Sequence, residues 1–160
     1  MGQRVAAANK LALTKAKEKN YLESAISEIA QIKIDKKLSR LLCAAIYWCE
    51  GTKSPKAGVC FTNSDPKLVR KFLFLLRNSF ELDEKKFRPC IHLHSYHNPQ
   101  KQLAFWSKMT NINKRQFIKP YLKLNTGKRI RDNYQGCISV RYHSNDLARR
   151  LIAIAKGFLD

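Results

Sequence analysis

Leu41-Leu42-Cys43-Ala44-Ala45-Ile46-Tyr47-Trp48-Cys49-Glu50-Gly51-Thr52-Lys53 is the stretch that decides the fold. Small and large apolar residues alternate in patches, as on a buried helix, and the run stops at one carboxylate followed by glycine. Gly51 is expected to end the helix, because glycine takes the left-handed conformation of a helix C-terminus at little cost. Glu50 then falls in the last turn, where the negative end of the helix dipole disfavours an anion and favours Lys or Arg. A carboxylate kept there needs a cation, and a divalent metal is the natural one. The alternative is a carboxylate that caps nearby backbone or pairs with Lys53, with no metal.

Upstream, residues 3 to 32 have helical composition. Their first part is basic (Arg4, Lys10, Lys15, Lys17, Lys19), and their second part repeats Tyr21, Leu22, Ala25, Ile26 and Ile29 at helical spacing. The second part is expected to pack on the domain, and the first is either a solvated helix or a phosphate-contacting arm. Residues 1–35 therefore form an N-terminal helical extension and residues 36–160 the main domain.

Downstream, Thr52 to Ser64 can form a hairpin turning at Ser54-Pro55-Lys56-Ala57-Gly58 and returning along Val59 to Asn63. Asp65 caps a helix with Pro66 in its first turn and Leu68, Val69, Phe72, Leu73, Leu76 and Phe80 as its buried stripe. Arg88 to Tyr96 reads as a strand. Asn98-Pro99 opens a helix with Leu103, Trp106 and Met109 inside. Lys119 to Thr126 and Cys137 to His143 are strands joined by the basic Gly127-Lys128-Arg129-Ile130-Arg131 loop. A last helix begins near Ser144 or Asn145 and buries Leu147, Leu151, Ile154 and Phe158. The sum is an α+β domain with helices gathered on one face of a mainly antiparallel sheet.

With 160 residues and 44% hydrophobic content, the chain can bury a real core. Its 31 Lys and Arg against 12 Asp and Glu leave a formal charge of +19, which repels itself and seeks a polyanion. Nucleic acid is favoured over membrane, because no apolar run approaches a transmembrane helix and no signal peptide precedes the fold. The cysteines at 43, 49, 60, 90 and 137 form an odd set without a C-x-x-C pair, as reduced thiols of a cytoplasmic protein do.

Strand alternation sorts the polar residues, because residues two apart share a face. Phe87, Ile91 and Leu93 oppose Arg88, His92, His94 and Tyr96. Pro120, Leu122 and Leu124 oppose Lys119, Tyr121, Lys123 and Asn125. Ile138, Val140 and Tyr142 oppose Ser139, Arg141 and His143. If the apolar sides pack on helices, the others pool into one basic surface without an acid, suited to reading a DNA groove. A sheet face open to water is polar in any case, so the sign of the charge is the informative feature. Cys90, His92, His94 and His97 make zinc conceivable, although neighbours on a flat strand diverge and a closed shell draws on a second segment.

Ala45-Ile46-Tyr47-Trp48-Cys49-Glu50-Gly51-Thr52-Lys53, Phe61-Thr62-Asn63-Ser64-Asp65-Pro66 and Ile91-His92-Leu93-His94 together resemble a divergent branch of the LAGLIDADG homing endonucleases, whose motif reads roughly ALYWGEGTK. The resemblance covers the chain from about residue 36 onward. It implies a saddle-shaped sheet over duplex DNA and a homodimer whose signature helices pack side by side through Ala44, Ala45 and Trp48. Each subunit would deliver Glu50 to a shared Mg2+ or Mn2+ site, with Lys53, Asn63, Lys119 and Lys123 as further candidates for positioning water or charge. Implied DNA contacts are Arg88, His92, His94, Tyr96, Lys119, Tyr121, Lys123, Asn125, Lys128, Arg129, Arg131, Ser139, Arg141 and His143. The expected activity is sequence-specific double-stranded DNA cleavage in the cytoplasm at the nucleoid. Members often carry a helix-turn-helix ahead of this region, which is not expected here because the chain begins too late for one. The alternative is a regulator of the same fold without catalysis, suggested by Trp48 where many members have another acid. An RNA-binding role is the minor third possibility.

Overall fold

The computed structural model describes residues 2–123 and 133–160. The chain divides into two units, Met1–Asp35 and Lys36–Asp160. The first holds one long helix, α1 (Gly2–Ala30), whose apolar side chains Leu11, Tyr21, Leu22, Ile26 and Ile29 are all exposed.

The second unit is α+β. Its elements in order are α2 (Lys36–Glu50), β1 (Val59–Asn63), α3 (Pro66–Ser79), β2 (Cys90–Leu93), α4 (Pro99–Thr110), β3 (Tyr121–Leu122), β4 (Cys137–Tyr142) and α5 (Asn145–Leu159). Helix starts are set by local chemistry. The Asp65 carboxylate accepts from the backbone of Lys67 and Leu68 ahead of Pro66, Asn98 accepts from Lys101 ahead of Pro99, and Ser144 accepts from Leu147. Each cap satisfies amides that the first helical turn leaves unpaired.

Four strands pair in the order β1-β4-β2-β3. β4 runs antiparallel to both β1 and β2, whereas β2 and β3 are parallel. The sheet is therefore mixed: mainly antiparallel, as expected, with one parallel pair at its edge. The cause is the connection: α4 lies between β2 and β3, and a helical crossover returns the chain in its original direction.

Register places Val59, Phe61, Ile91, Leu93, Ile138, Val140 and Tyr142 on one face, all buried against α2, α3, α4 and α5. Phe61 stacks on Phe72 of α3 at 4.0 Å, Phe87 meets Tyr142 edge-on at 4.9 Å, and Trp106 of α4 is fully buried. Aromatic pairs in these geometries add to their area burial. α2 lies between α3 and α5 in the helical layer and buries Ser39, Cys43, Ala44 and Tyr47.

Two expectations about the core and one about the end of α2 need correction. Leu122 shares the face of Leu93 but is 66% exposed, since β3 is a two-residue edge strand. Phe158 is also exposed, and the buried stripe of α5 is instead Leu147, Ala148, Leu151 and Ala155. Gly51 does not have a positive φ, which among the described glycines is taken by Gly58 and Gly136. Its need for glycine is steric: a Cβ there would lie 2.3 Å from the Tyr47 ring and 2.6 Å from the Tyr47 carbonyl oxygen.

Candidate nucleic-acid interface

α2 ends where β1 is about to begin. The backbone of Gly51 donates to Tyr47, that of Thr52 donates to Cys60, and Gly51 bridges to Phe61, so the helix end is stitched to the strand. Between them the chain turns through a 3-10 segment, Pro55–Ala57, and Gly58 at φ 75°, where a Cβ would meet the Tyr142 carbonyl at 2.5 Å. This turn carries Asn63 back to Glu50: Asn63 Nδ2 donates to Glu50 Oε2 at 3.0 Å. Asn63 Oδ1 in turn accepts from the backbone of Asp65 at 2.8 Å, so the amide is held on both sides. Glu50 is exposed.

Lys53 does not pair with Glu50. Its ammonium donates to the carbonyls of Trp48 and Gly51 and lies 5.5 Å from the centre of the Trp48 ring. Those carbonyls belong to the end of α2, so the lysine supplies the cation that the helix dipole favours there. The Glu50 carboxylate itself is left exposed, with Asn63 as its hydrogen-bond donor.

The side of the sheet away from the helices carries Cys60 and Thr62 from β1, Cys137, Ser139 and Arg141 from β4, Cys90 and His92 from β2, and Tyr121 from β3. Lys123 continues this face beyond β3, its backbone donating to Leu93 at 2.7 Å. The middle of the face is a floor of small side chains joined by hydrogen bonds. Thr62 donates to Ser139 at 2.9 Å, and Cys60 Sγ lies 3.2 Å from the same oxygen. Around that floor stand the exposed Lys119, Tyr121, Lys123, Arg141 and His143.

His92 sits between them, its ring 5.5 Å from that of Tyr121. Burial first, then the charges of Lys123 and Arg141, lower its pKa below the usual histidine value. The Cys137 thiol is pushed up by burial, against the pull of Lys123. Burial is the larger cause of both shifts; the cations on this face add to the first and oppose the second.

Several expected DNA-binding residues are placed elsewhere. Ser139 is 2% exposed and engaged with Thr62, so it is floor, not reading surface. The Arg88 guanidinium turns back to the carbonyls of Lys85 and Phe87. His94 stacks on Tyr96 at 5.5 Å with the rings nearly parallel, and both are half-buried in a corner with His97 and Tyr134. His97 Nδ1 accepts from the backbone of His94, which leaves Nε2 to donate to the Tyr134 carbonyl at 3.0 Å. Both ring nitrogens of His97 are thereby used, and among the described residues no three His, Cys, Asp or Glu side chains converge as metal ligands. Asn125, Lys128, Arg129 and Arg131 lie outside the described residues.

Of the helix residues expected at a subunit contact, Ala44 is fully buried in the core of its own chain and cannot face a partner. Ala45 and Trp48 are half-buried, and with the exposed Leu42 and Cys49 they leave an apolar stripe on the outer side of α2. Helical periodicity decides this: positions 43, 44 and 47 point one way, and 42, 45 and 49 the other.

Thr62 and Cys60 are the floor residues that the strand readings of the other three segments do not include. The same two-residue alternation along Val59–Asn63 identifies them. All five cysteines are unpaired thiols; Cys43, fully buried, is pushed up to about 12 by burial. Among the described residues no helix is long and apolar enough to cross a membrane. Comparison of the chain with protein-family models, with curated proteins and with solved structures gives no match.

Proposed function

We propose that the chain is a sequence-specific double-stranded DNA endonuclease of the LAGLIDADG kind, working as a dimer with Mg2+ or Mn2+ at Glu50. The observation that carries this is the exposed Glu50 carboxylate, oriented by Asn63 at the end of a packed helix, in a domain whose open sheet face bears Lys123, Arg141 and His143. The basic face supports phosphate neutralisation, and Tyr121 and His92 offer flat groups beside it. The outer stripe of α2, with its small residues Ala45 and Cys49, supports close pairing with a second copy. A two-fold dimer would read a near-palindromic site.

One carboxylate per chain does not close a metal site. It does fit Mg2+, which keeps several waters and is commonly bound by one or two carboxylates together with substrate phosphates. Glu50 would hold such an ion, which when bound supplies an activated water and stabilises the leaving oxygen. Asn63 keeps one carboxylate oxygen engaged and so sets the direction of the other. Lys123 and Arg141 would hold the DNA backbone in place on the sheet, with Lys119 at its edge. Such a nuclease would act at the nucleoid.

A second reading, a DNA-binding regulator without catalysis, is favoured by Lys53. Its ammonium is spent on the end of α2, which removes one of the expected charge-stabilising groups. One experiment separates the two: supercoiled and genomic-library DNA incubated with Mg2+ or Mn2+, wild type against Glu50→Gln. Nicked or linear products from wild type alone support the nuclease. Equal products from both proteins, or none from either while duplex binding persists, refute it.

A further inference from the structure

On the outward side of the helical layer, away from the open sheet face, α3 carries a second group of cations. Val69, Phe72, Leu73 and Leu76 point inward, so the opposite side of the helix presents Lys67, Arg70, Lys71, Phe74 and Arg77 at helical spacing. With Lys108 and Met109 at the end of α4 they line a cleft of about 790 Å³ that no acidic side chain lines.

The charges in this cleft are not equivalent. Arg77 is spent: it holds Glu84 through two nitrogens at 2.8 and 2.9 Å and the Thr110 carbonyl through a third. Lys67, Arg70, Lys71 and Lys108 have no ion pair among the described residues. Between them Phe74 is 50% exposed, with the Lys71 ammonium 5.4 Å from its ring centre, and the half-buried Met109 adds apolar surface. Four uncompensated cations around an exposed aromatic ring suit a ligand that carries repeated negative charge and flat apolar groups in the same strand. Single-stranded nucleic acid has both, because its bases are free to stack while its phosphates track a basic groove. A duplex hides its bases, and an acidic peptide lacks the regular flat groups.

We propose that the α3–α4 cleft binds single-stranded nucleic acid, with phosphates at Lys67, Arg70, Lys71 and Lys108 and a base against Phe74. This site is separate from the sheet surface and does not depend on the nuclease reading.

The test is fluorescence anisotropy of the full chain with short labelled oligothymidylate and oligouridylate, over a salt series. Replacing Lys67, Arg70 and Lys71 together by Ala weakens single-strand binding at least tenfold at low salt and lowers the salt slope by roughly two, about 0.7 for each phosphate no longer neutralised. Phe74→Ala weakens it roughly tenfold, as removal of one stacked base does. Phe74→Leu, which keeps apolar bulk, shows the same weakening. A Lys123→Ala, Arg141→Ala double variant weakens single-strand binding much less than the cleft variant does. The replaced side chains are exposed, and a thermal melt matching wild type shows each variant folded. Preference for oligouridylate or oligothymidylate identifies RNA or DNA as the source, and either supports the site. Equal weakening by cleft and sheet variants, competition by polyglutamate as strong as by oligonucleotide, or no single-strand binding by wild type overturns it.

Discussion

Replacing Gly51 by Ala tests how the end of α2 is joined to the sheet. A Cβ on Gly51 would sit 2.3 and 2.4 Å from two Tyr47 ring carbons and 2.6 Å from the Tyr47 carbonyl oxygen. Tyr47 is 1% exposed, its ring lies 6.1 Å from Phe72, and its hydroxyl is 3.5 Å from the Cys60 amide. The ring therefore has little room to move, and the carbonyl cannot shift without straining the 2.7 Å bond from Gly51 N. Overpacking of this kind costs about 1–3 kcal/mol. With backbone as well as ring in the way, the expected loss is at the upper end, about 3 kcal/mol, or roughly 10 °C in Tm for a domain of this size. Denaturant unfolding should show a lower midpoint with unchanged slope. In a Tyr47→Ala background the ring part of the clash is gone, so Gly51→Ala should cost at least about 1 kcal/mol less there. A Gly51→Ala protein within about 0.5 kcal/mol of wild type, or an equal cost in both backgrounds, would refute the steric account.

Asn63→Ala removes the bonds to Glu50 and to the Asp65 amide, and should lower stability by about 1–2 kcal/mol in denaturant unfolding. If the proposed dimer forms through α2, Ala45→Arg on its outer face should abolish it in sedimentation velocity while leaving the thermal melt of the monomer within a few degrees of wild type. His92 has a folded-state pKa below its unfolded value, so the unfolded chain binds more protons than the folded one between the two. Its contribution makes stability rise with pH through that window, up to about 6.5, and flatten above it. His92→Gln should remove that slope. Because nearby phosphates would favour the protonated ring, duplex binding should tighten as pH falls through the same range in wild type and not in His92→Gln, measured at constant salt.

The α+β class, the starts of α3, α4 and α5, and the division of each strand into an apolar and a polar side were legible in the sequence. They rest on local chemistry: Asp65-Pro66 and Asn98-Pro99 place a side-chain cap and a pre-set φ at a helix start, and alternate residues of a strand face opposite ways. Tertiary structure alone decided how far each polar residue is available. Ser139 lies on the predicted side yet is covered by its strand neighbours, and Arg88 is consumed by carbonyls one and three residues back. Ala44 and Ala45 are adjacent in sequence, but only packing between α3 and α5 determines that the first is core and the second is not. The parallel pairing of β2 with β3 follows from where α4 crosses, and the meeting of Glu50 with Asn63 follows from a turn that fits only with Gly58. Periodicity is a property of neighbours along the chain, whereas strand direction, burial and hydrogen-bond partners depend on segments that meet only when the core closes.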